Sequence, residues 1–138
     1  MSAVLNCNIS FIGGGNMAQA LIGGLVARGL APNRITVSDP VEGVRELLAE
    51  KGVQVTTDNA AAILNADVVV LAVKPQVLAQ VLKPLHGLCA GKLIISIVAG
   101  AEVNTIARLL DTARVVRVMP NTPALVQTGA HGLFATEA

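Results

Sequence analysis

The chain has 138 residues, 53% of them apolar, 14% charged and 1% aromatic, with a net charge of +1 at neutral pH. That length suits one domain with a sizeable core and is short for a two-domain dehydrogenase. Near-neutral charge and scarce aromatic rings argue against nucleic-acid binding, which draws on basic patches or stacking platforms.

In chain order, Asn8-Ile9-Ser10-Phe11-Ile12 predicts a short buried strand that turns through Gly13-Gly14-Gly15 into a helix over 16–28. The turn reads G-x-G-x-x-A, the pattern of a dinucleotide-binding βα junction. Gly13 permits the tight turn, Gly15 lets backbone approach a pyrophosphate, and Ala18 lets the helix pack closely on the strand. The helix start then offers unpaired N–H groups and the positive end of its dipole to phosphates. Leu21, Ile22 and Leu25 form the apolar stripe, and Gly29 stops the helix.

Pro32-Asn33 marks a loop, and Ile35-Thr36-Val37-Ser38 predicts a second strand closed by Asp39-Pro40. A helix over 42–51 ends at Gly52, and 53–56 predicts a third strand. Asp58 or Asn59 caps a short helix through Leu64. The most apolar strand is expected over 67–73, a helix over 76–82, and a fifth strand over 93–98. Ala99-Gly100 turns into a helix over 103–110. A sixth strand over 115–119 leads to Pro120-Asn121-Thr122-Pro123, and 132–135 is compatible with an extra edge strand.

Strands alternating with helices imply parallel βαβ units with right-handed crossovers. The expected fold is α/β: a Rossmann-like, doubly wound, mostly parallel sheet in the order 3-2-1-4-5-6. Strands buried on both faces account for part of the apolar excess. A covering domain or subunit accounts for the rest.

The apolar run 68–73 is strand-sized and bounded by Asp67 and Lys74, so it is not read as a membrane span. The first six residues lack the basic start of a secretory signal. Cys7 and Cys89 show no metal-ligand spacing and are expected as small buried hydrophobes in a reduced, cytoplasmic setting. His86 and His131 are isolated and read as loop or surface residues.

In a 3-2-1-4-5-6 sheet, ligand binds between the carboxyl ends of the first and fourth strands. The glycine turn and Ala72-Val73-Lys74-Pro75 converge there. Lys74 then lines a ligand path, the plainer alternative being a solvated strand end. Asn121, bracketed by prolines, suits an amide or a small polar substrate; a self-closed turn is its plainer alternative. No acid, base, nucleophile or metal constellation emerges, so catalytic residues stay unassigned. Hydride transfer does not demand one, because the cofactor supplies that chemistry.

The segments Phe11-Ile12-Gly13-Gly14-Gly15-Asn16-Met17, Ala72-Val73-Lys74-Pro75, Val98-Ala99-Gly100 and Met119-Pro120-Asn121-Thr122-Pro123 occur here in that order. Together they resemble the N-terminal domain of the pyrroline-5-carboxylate reductase family. The resemblance implies a reductase that passes a hydride from NADPH or NADH to the C=N bond of a cyclic imine, giving proline. It implies that Ile12, Gly13, Gly14, Gly15, Asn16 and Met17 cradle the cofactor phosphates. Ser38, Asp39 and Asn59 would lie by the adenosine ribose. Ala72, Val73, Lys74 and Pro75, with Ala99 and Gly100, would line the crevice, and Asn121 and Thr122 would face the nicotinamide. Members carry a second, helical domain that dimerises and completes the imine site. No such domain is found in 1–138, which reads as the cofactor half of a homo-oligomeric enzyme.

Asp39 points the other way on cofactor choice. An acidic residue there favours a ribose 2′-OH, hence NAD, whereas the resemblance favours NADP. Arg34 and Arg45 are candidates to offset its charge. Two further readings stand beside the reductase: the nucleotide domain of a β-hydroxyacid-type dehydrogenase, and a non-enzymatic dinucleotide-sensing module.

Overall fold

Strands Ile9–Ile12 (β1), Ile35–Ser38 (β2), Gln54–Thr56 (β3), Val68–Leu71 (β4), Leu93–Ser96 (β5) and Val115–Arg117 (β6) build one sheet in the order β3-β2-β1-β4-β5-β6. The structure, a computed structural model, describes residues 7–112 and 114–118. Every strand pairing is parallel. The expected order is therefore borne out. The suggested edge strand over 132–135, the end of the sixth strand at Met119, and His131 lie outside the described residues.

The helices are Asn16–Ala27 (α1), Glu42–Glu50 (α2), Asn59–Ile63 (α3), Leu78–Leu82 (α4) and Val103–Leu110 (α5). Because a strand's side chains alternate between faces, the central strands β1, β4 and β5 feed two cores. Ile9 and Phe11 of β1, Val68 and Val70 of β4, and Leu93 and Ile95 of β5 pack with Leu21, Leu25 and Leu48 from α1 and α2. Ile12, Val69, Leu71 and Ile94 pack on the opposite face with Ile63, Leu78, Leu82 and Ile106 from α3, α4 and α5. This two-faced burial is why β1, β4 and β5 read as continuous apolar runs. Ser10 is the polar exception within β1, and its hydroxyl donates to the Ala62 carbonyl of α3.

Several elements are shorter than their sequence pattern. The strand expected over 67–73 is regular only over Val68–Leu71. At its start the Asp67 and Val68 amides both donate to the Asn8 carbonyl, and at its end the Ala72 amide donates to the Ile12 carbonyl at 2.9 Å. Beyond Ala72 the glycine turn carries β1's chain away, so no parallel partner remains there. The helix expected over 76–82 begins instead as a 3-10 turn, Pro75–Val77, and is α-helical from Leu78. Asp58, not Asn59, caps α3: its carboxylate accepts from the Ala61 amide at 3.1 Å. Replacing Asp58 with alanine is expected to cost about 1 kcal/mol of stability, measurable by urea unfolding.

Candidate functional site

Register brings the carboxyl ends of all six strands to one line. Ile12 pairs with Ser38 and Leu71, Ser38 with Thr56, Leu71 with Ser96, and Ser96 with Arg117. Strand order reverses between β1 and β4, because β1's chain leaves toward β2 and β4's toward β5. Loops diverge at such a switch point and leave a crevice.

The three turn glycines have separate tasks. Gly13 has φ of +103°, and a Cβ there would stand 2.6 Å from the Ala72 carbonyl oxygen. Gly13 thus serves the turn, as expected, and also the close approach of β1's exit to β4's. Gly14 faces the interior: a Cβ on it would meet Val44, Val37 and Leu48 side chains at 2.9–3.2 Å. Gly15 is exposed, with nothing within 4 Å of where its Cβ would be. It is the N-cap of α1 and makes no side-chain cap, and the first turn of α1 carries no acidic residue. The first intrahelical bond runs from the Gln19 amide to the Gly15 carbonyl, so the preceding amides have no acceptor inside the helix. They are free to receive an anion.

A cleft of about 480 Å³ opens beside this turn. Its floor is Ile12, Gly13, Gly14 and Gly15, with Ser38, Asp39 and Asn59 along one side and Ala72, Val73 and Lys74 along the other. A second hollow of about 280 Å³ shares Gly15, Ala72, Val73 and Lys74 with the first and continues past Asn16, Met17, Pro75, Val98 and Ala99. The two lie end to end across the β1/β4 junction and suit an elongated ligand with an anionic middle. Lys74, exposed, borders both.

The sequence reading missed the apolar wall of the larger hollow. Pro40 and Val41 line it on one side, Val77 and Val81 on the other, and Thr57 and Gln80 complete it. Val41 is 55% exposed and Val77 39% exposed, so both offer apolar surface to a ligand in the cleft. Register carried the signal for one of these: Thr57 follows β3 as Asp39 follows β2.

Two expected site residues are placed differently. Gly100 does not border the glycine cleft. It lines a neighbouring groove between α4 and α5, together with Pro75, Leu78, Ala99 and Leu109. Its φ of +75° shows that the glycine serves the turn into α5. Asp39 does border the cleft, but its carboxylate is turned into the protein. Oδ2 accepts from the Gly14 amide and Oδ1 from the Val41 amide, each at 2.8 Å. Of the two arginines considered for this site, Arg45 reaches it, donating to the Asp39 carbonyl at 2.9 Å. Arg34 bonds Asn8 at the opposite end of the strands. Ser38 and Asn59 do meet, the serine hydroxyl donating to Asn59 Oδ1. Asn121 and Thr122 lie outside the described residues.

Cys7 is half-buried and Cys89 buried. Burial pushes both thiols above their ordinary pKa; Asp67 adds to this at Cys7, and Lys92 opposes it at Cys89. Neither lines the cleft. His86 is exposed, as expected, with Nδ1 3.0 Å from the Leu109 carbonyl. No helix among the described residues is long and apolar enough to cross a membrane.

The family model described as NADP oxidoreductase, coenzyme F420-dependent, matches residues 8–100, the stretch that holds the glycine turn and both sides of the cleft. The chain belongs to that family. Among its members the resemblance read from the four sequence segments holds. The chain is 52% identical over 134 residues to a pyrroline-5-carboxylate reductase of Pasteurella multocida, covering 93% of this chain and 49% of that protein. A solved pyrroline-5-carboxylate reductase from Coxiella burnetii superposes with a TM-score of 0.81 at 44% identity, over 88% of this chain and 46% of that one. The Plasmodium falciparum pyrroline carboxylate reductase, solved with NADP bound, superposes with a TM-score of 0.75 at 27% identity, over 88% of this chain and 45% of that one. The chain spans about half the length of the curated relatives it matches.

Proposed function

We propose that this chain is the dinucleotide-binding half of a reductase that passes a hydride from NADPH or NADH to 1-pyrroline-5-carboxylate, giving L-proline. One coincidence carries the reading. The uncapped start of α1, the open space at Gly15 and a two-part cleft meet at the β1/β4 switch point. That geometry fits a pyrophosphate between two larger groups.

When bound, the dinucleotide supplies the hydride. The chain's own residues hold and aim it. Amides at the start of α1 receive the pyrophosphate, and Gly15 leaves room for it. The exposed faces of Val41 and Val77 take the adenine ring, which removes both valines from water. The nicotinamide end extends along Met17, Val98 and Ala99, over the carboxyl end of β5. The similarity of the chain to about half of each reductase supports a division of labour. Cofactor sits here, and a second unit, joined in a homo-oligomer, completes the imine site. A cytoplasmic setting accords with this reading, since both dinucleotides are available there.

Two measurements test it. Fluorescence titration of NADPH and NADH with the 138-residue chain is expected to show saturable binding. A proline-forming assay with the same chain is expected to show no appreciable turnover. Absence of any dinucleotide binding overturns the assignment. Robust turnover by the chain alone overturns the division between halves.

A further inference from the structure

Gly14 is gripped on both sides of its Cα. Its N–H donates to Asp39 Oδ2 at 2.8 Å, and its carbonyl accepts from Gln19 Nε2, also at 2.8 Å. Its Cα is packed against Val44 and Val37 with no space for a side chain. Asp39 is itself fixed at every polar group: its amide donates to the Thr56 carbonyl at 3.1 Å, and its carbonyl accepts from Arg45. It is 9% exposed. Gln19 is half-buried on the first turn of α1.

From this geometry we infer that Asp39 and Gln19 are a pair of positioning residues that hold the two peptides on either side of the Gly14 Cα, and through them the aim of the pyrophosphate-binding amides that follow. The inference rests on dinucleotide binding in the cleft as proposed above. A peptide is planar, so the bond from Gln19 to the Gly14 carbonyl also sets the direction of the Gly15 N–H on the far side of the same Gly14–Gly15 peptide, while Asp39 holds the Gly13–Gly14 peptide before it. The next two residues, Gly15 and Asn16, are exposed and begin α1. Their amides inherit that orientation. Neither Asp39 nor Gln19 then discriminates a 2′-OH from a 2′-phosphate, because the Asp39 carboxylate is buried and turned into the protein onto the Gly14 and Val41 amides.

This separates sharply from a ribose-reading role for Asp39. Removing a ribose reader changes the ratio of NADPH to NADH affinity and weakens adenosine as well. Removing a positioning residue weakens both dinucleotides alike and spares adenosine, which has no pyrophosphate. Gln19→Met keeps the stem and removes the donor; Asp39→Asn keeps the shape and sets an NH2 against one of the two amides. Each variant is expected to bind NADH and NADPH about tenfold more weakly, the factor that one lost hydrogen bond at the upper end of the usual range corresponds to. The affinity ratio and the adenosine dissociation constant are expected to stay within about twofold of the parent chain's values, the scatter allowed for independent sites. Because both residues act on the two peptides that meet at Gly14, the double variant is expected to lose less than the product of the single losses.

A general loss of stability would lower the melting temperature without producing this ligand pattern. Gln19→Met removes one side-chain bond on a half-buried helix position, so it keeps the test open where Asp39→Asn fails to fold. An altered NADPH-to-NADH ratio in Asp39→Asn, or unchanged dinucleotide affinity in Gln19→Met, overturns the inference. If the parent chain binds neither dinucleotide, the proposed function fails, and this inference falls with it.

Discussion

Gly13→Ala is expected to lower stability more than any other single methyl group added at the glycine turn, by about 2–4 kcal/mol. Two penalties combine. A non-glycine residue at φ of +103° is strained, which contributes about 1–3 kcal/mol. The new methyl would also stand 2.6 Å from the Ala72 oxygen and 2.9 Å from its carbonyl carbon, both backbone atoms. That carbonyl has little freedom to retreat. The Ala72 amide is bonded to Ile12 at 2.9 Å, and the Gly13 amide to the Ser38 carbonyl at 2.8 Å. Relief therefore requires breaking a ladder bond at the end of β1, at a net cost of about 1 kcal/mol. Thermal unfolding by circular dichroism checks the result: the midpoint should fall by roughly 10 °C or more. A drop below about 3 °C would mean that the β1 and β4 exits are not in contact as described.

Strand identity and order were legible because they rest on local signals. Val68 to Leu71 and Leu93 to Ile95 are apolar without alternation, as strands covered on both faces must be. Helix-length segments between such strands leave the doubly wound order as the natural arrangement. Gly13 was legible too, since few residues other than glycine tolerate that φ. What stayed hidden is how polar side chains are committed. Asp39 after β2 has the same sequence pattern whether its carboxylate faces a ribose or the Gly14 amide. That choice depends on the position of a loop twenty-five residues earlier in the chain. Gln19 sits on a helix whose other residues, Asn16 apart, are small or apolar, and nothing in its spacing marks the bond to Gly14. The apolar wall formed by Val41 and Val77 was hidden for a related reason. Single exposed valines carry no pattern of their own, and only the folding of the 3-10 turn and helices around the cleft sets them opposite one another. Gly100 was placed in the cleft by its proximity to Ala99, but one residue at the end of β5 suffices to pass from one groove to the next.

Gly15→Val is the reverse of Gly13→Ala: a large loss of binding is expected with the fold retained. At Gly15 the backbone has φ of −71° and ψ of −169°, an extended conformation that β-branched residues adopt readily. A Cβ there meets nothing within 4 Å. Valine is a poorer helix N-cap than glycine, so a stability loss of under about 1 kcal/mol is expected. The space into which its two methyls project is the place where both parts of the cleft meet, since Gly15 lines each of them. A pyrophosphate that uses the amides at the start of α1 must come within hydrogen-bonding distance of them, about 2.9 Å. Branched methyls on Gly15 hold it farther away, and the charge-assisted bonds are lost together. Two such bonds at about 1.5–3 kcal/mol each correspond to at least a hundredfold weaker binding of NADH and NADPH alike. Gly15→Ala, with one methyl, should fall between the parent chain and the valine variant. The measurement pairs dissociation constants for both dinucleotides with the thermal midpoint of each variant. Unchanged affinity in a folded Gly15→Val chain would move the phosphate site away from this turn. A large fall in melting temperature would show instead that Gly15 is held by contacts of the fold itself, contrary to the open space around it.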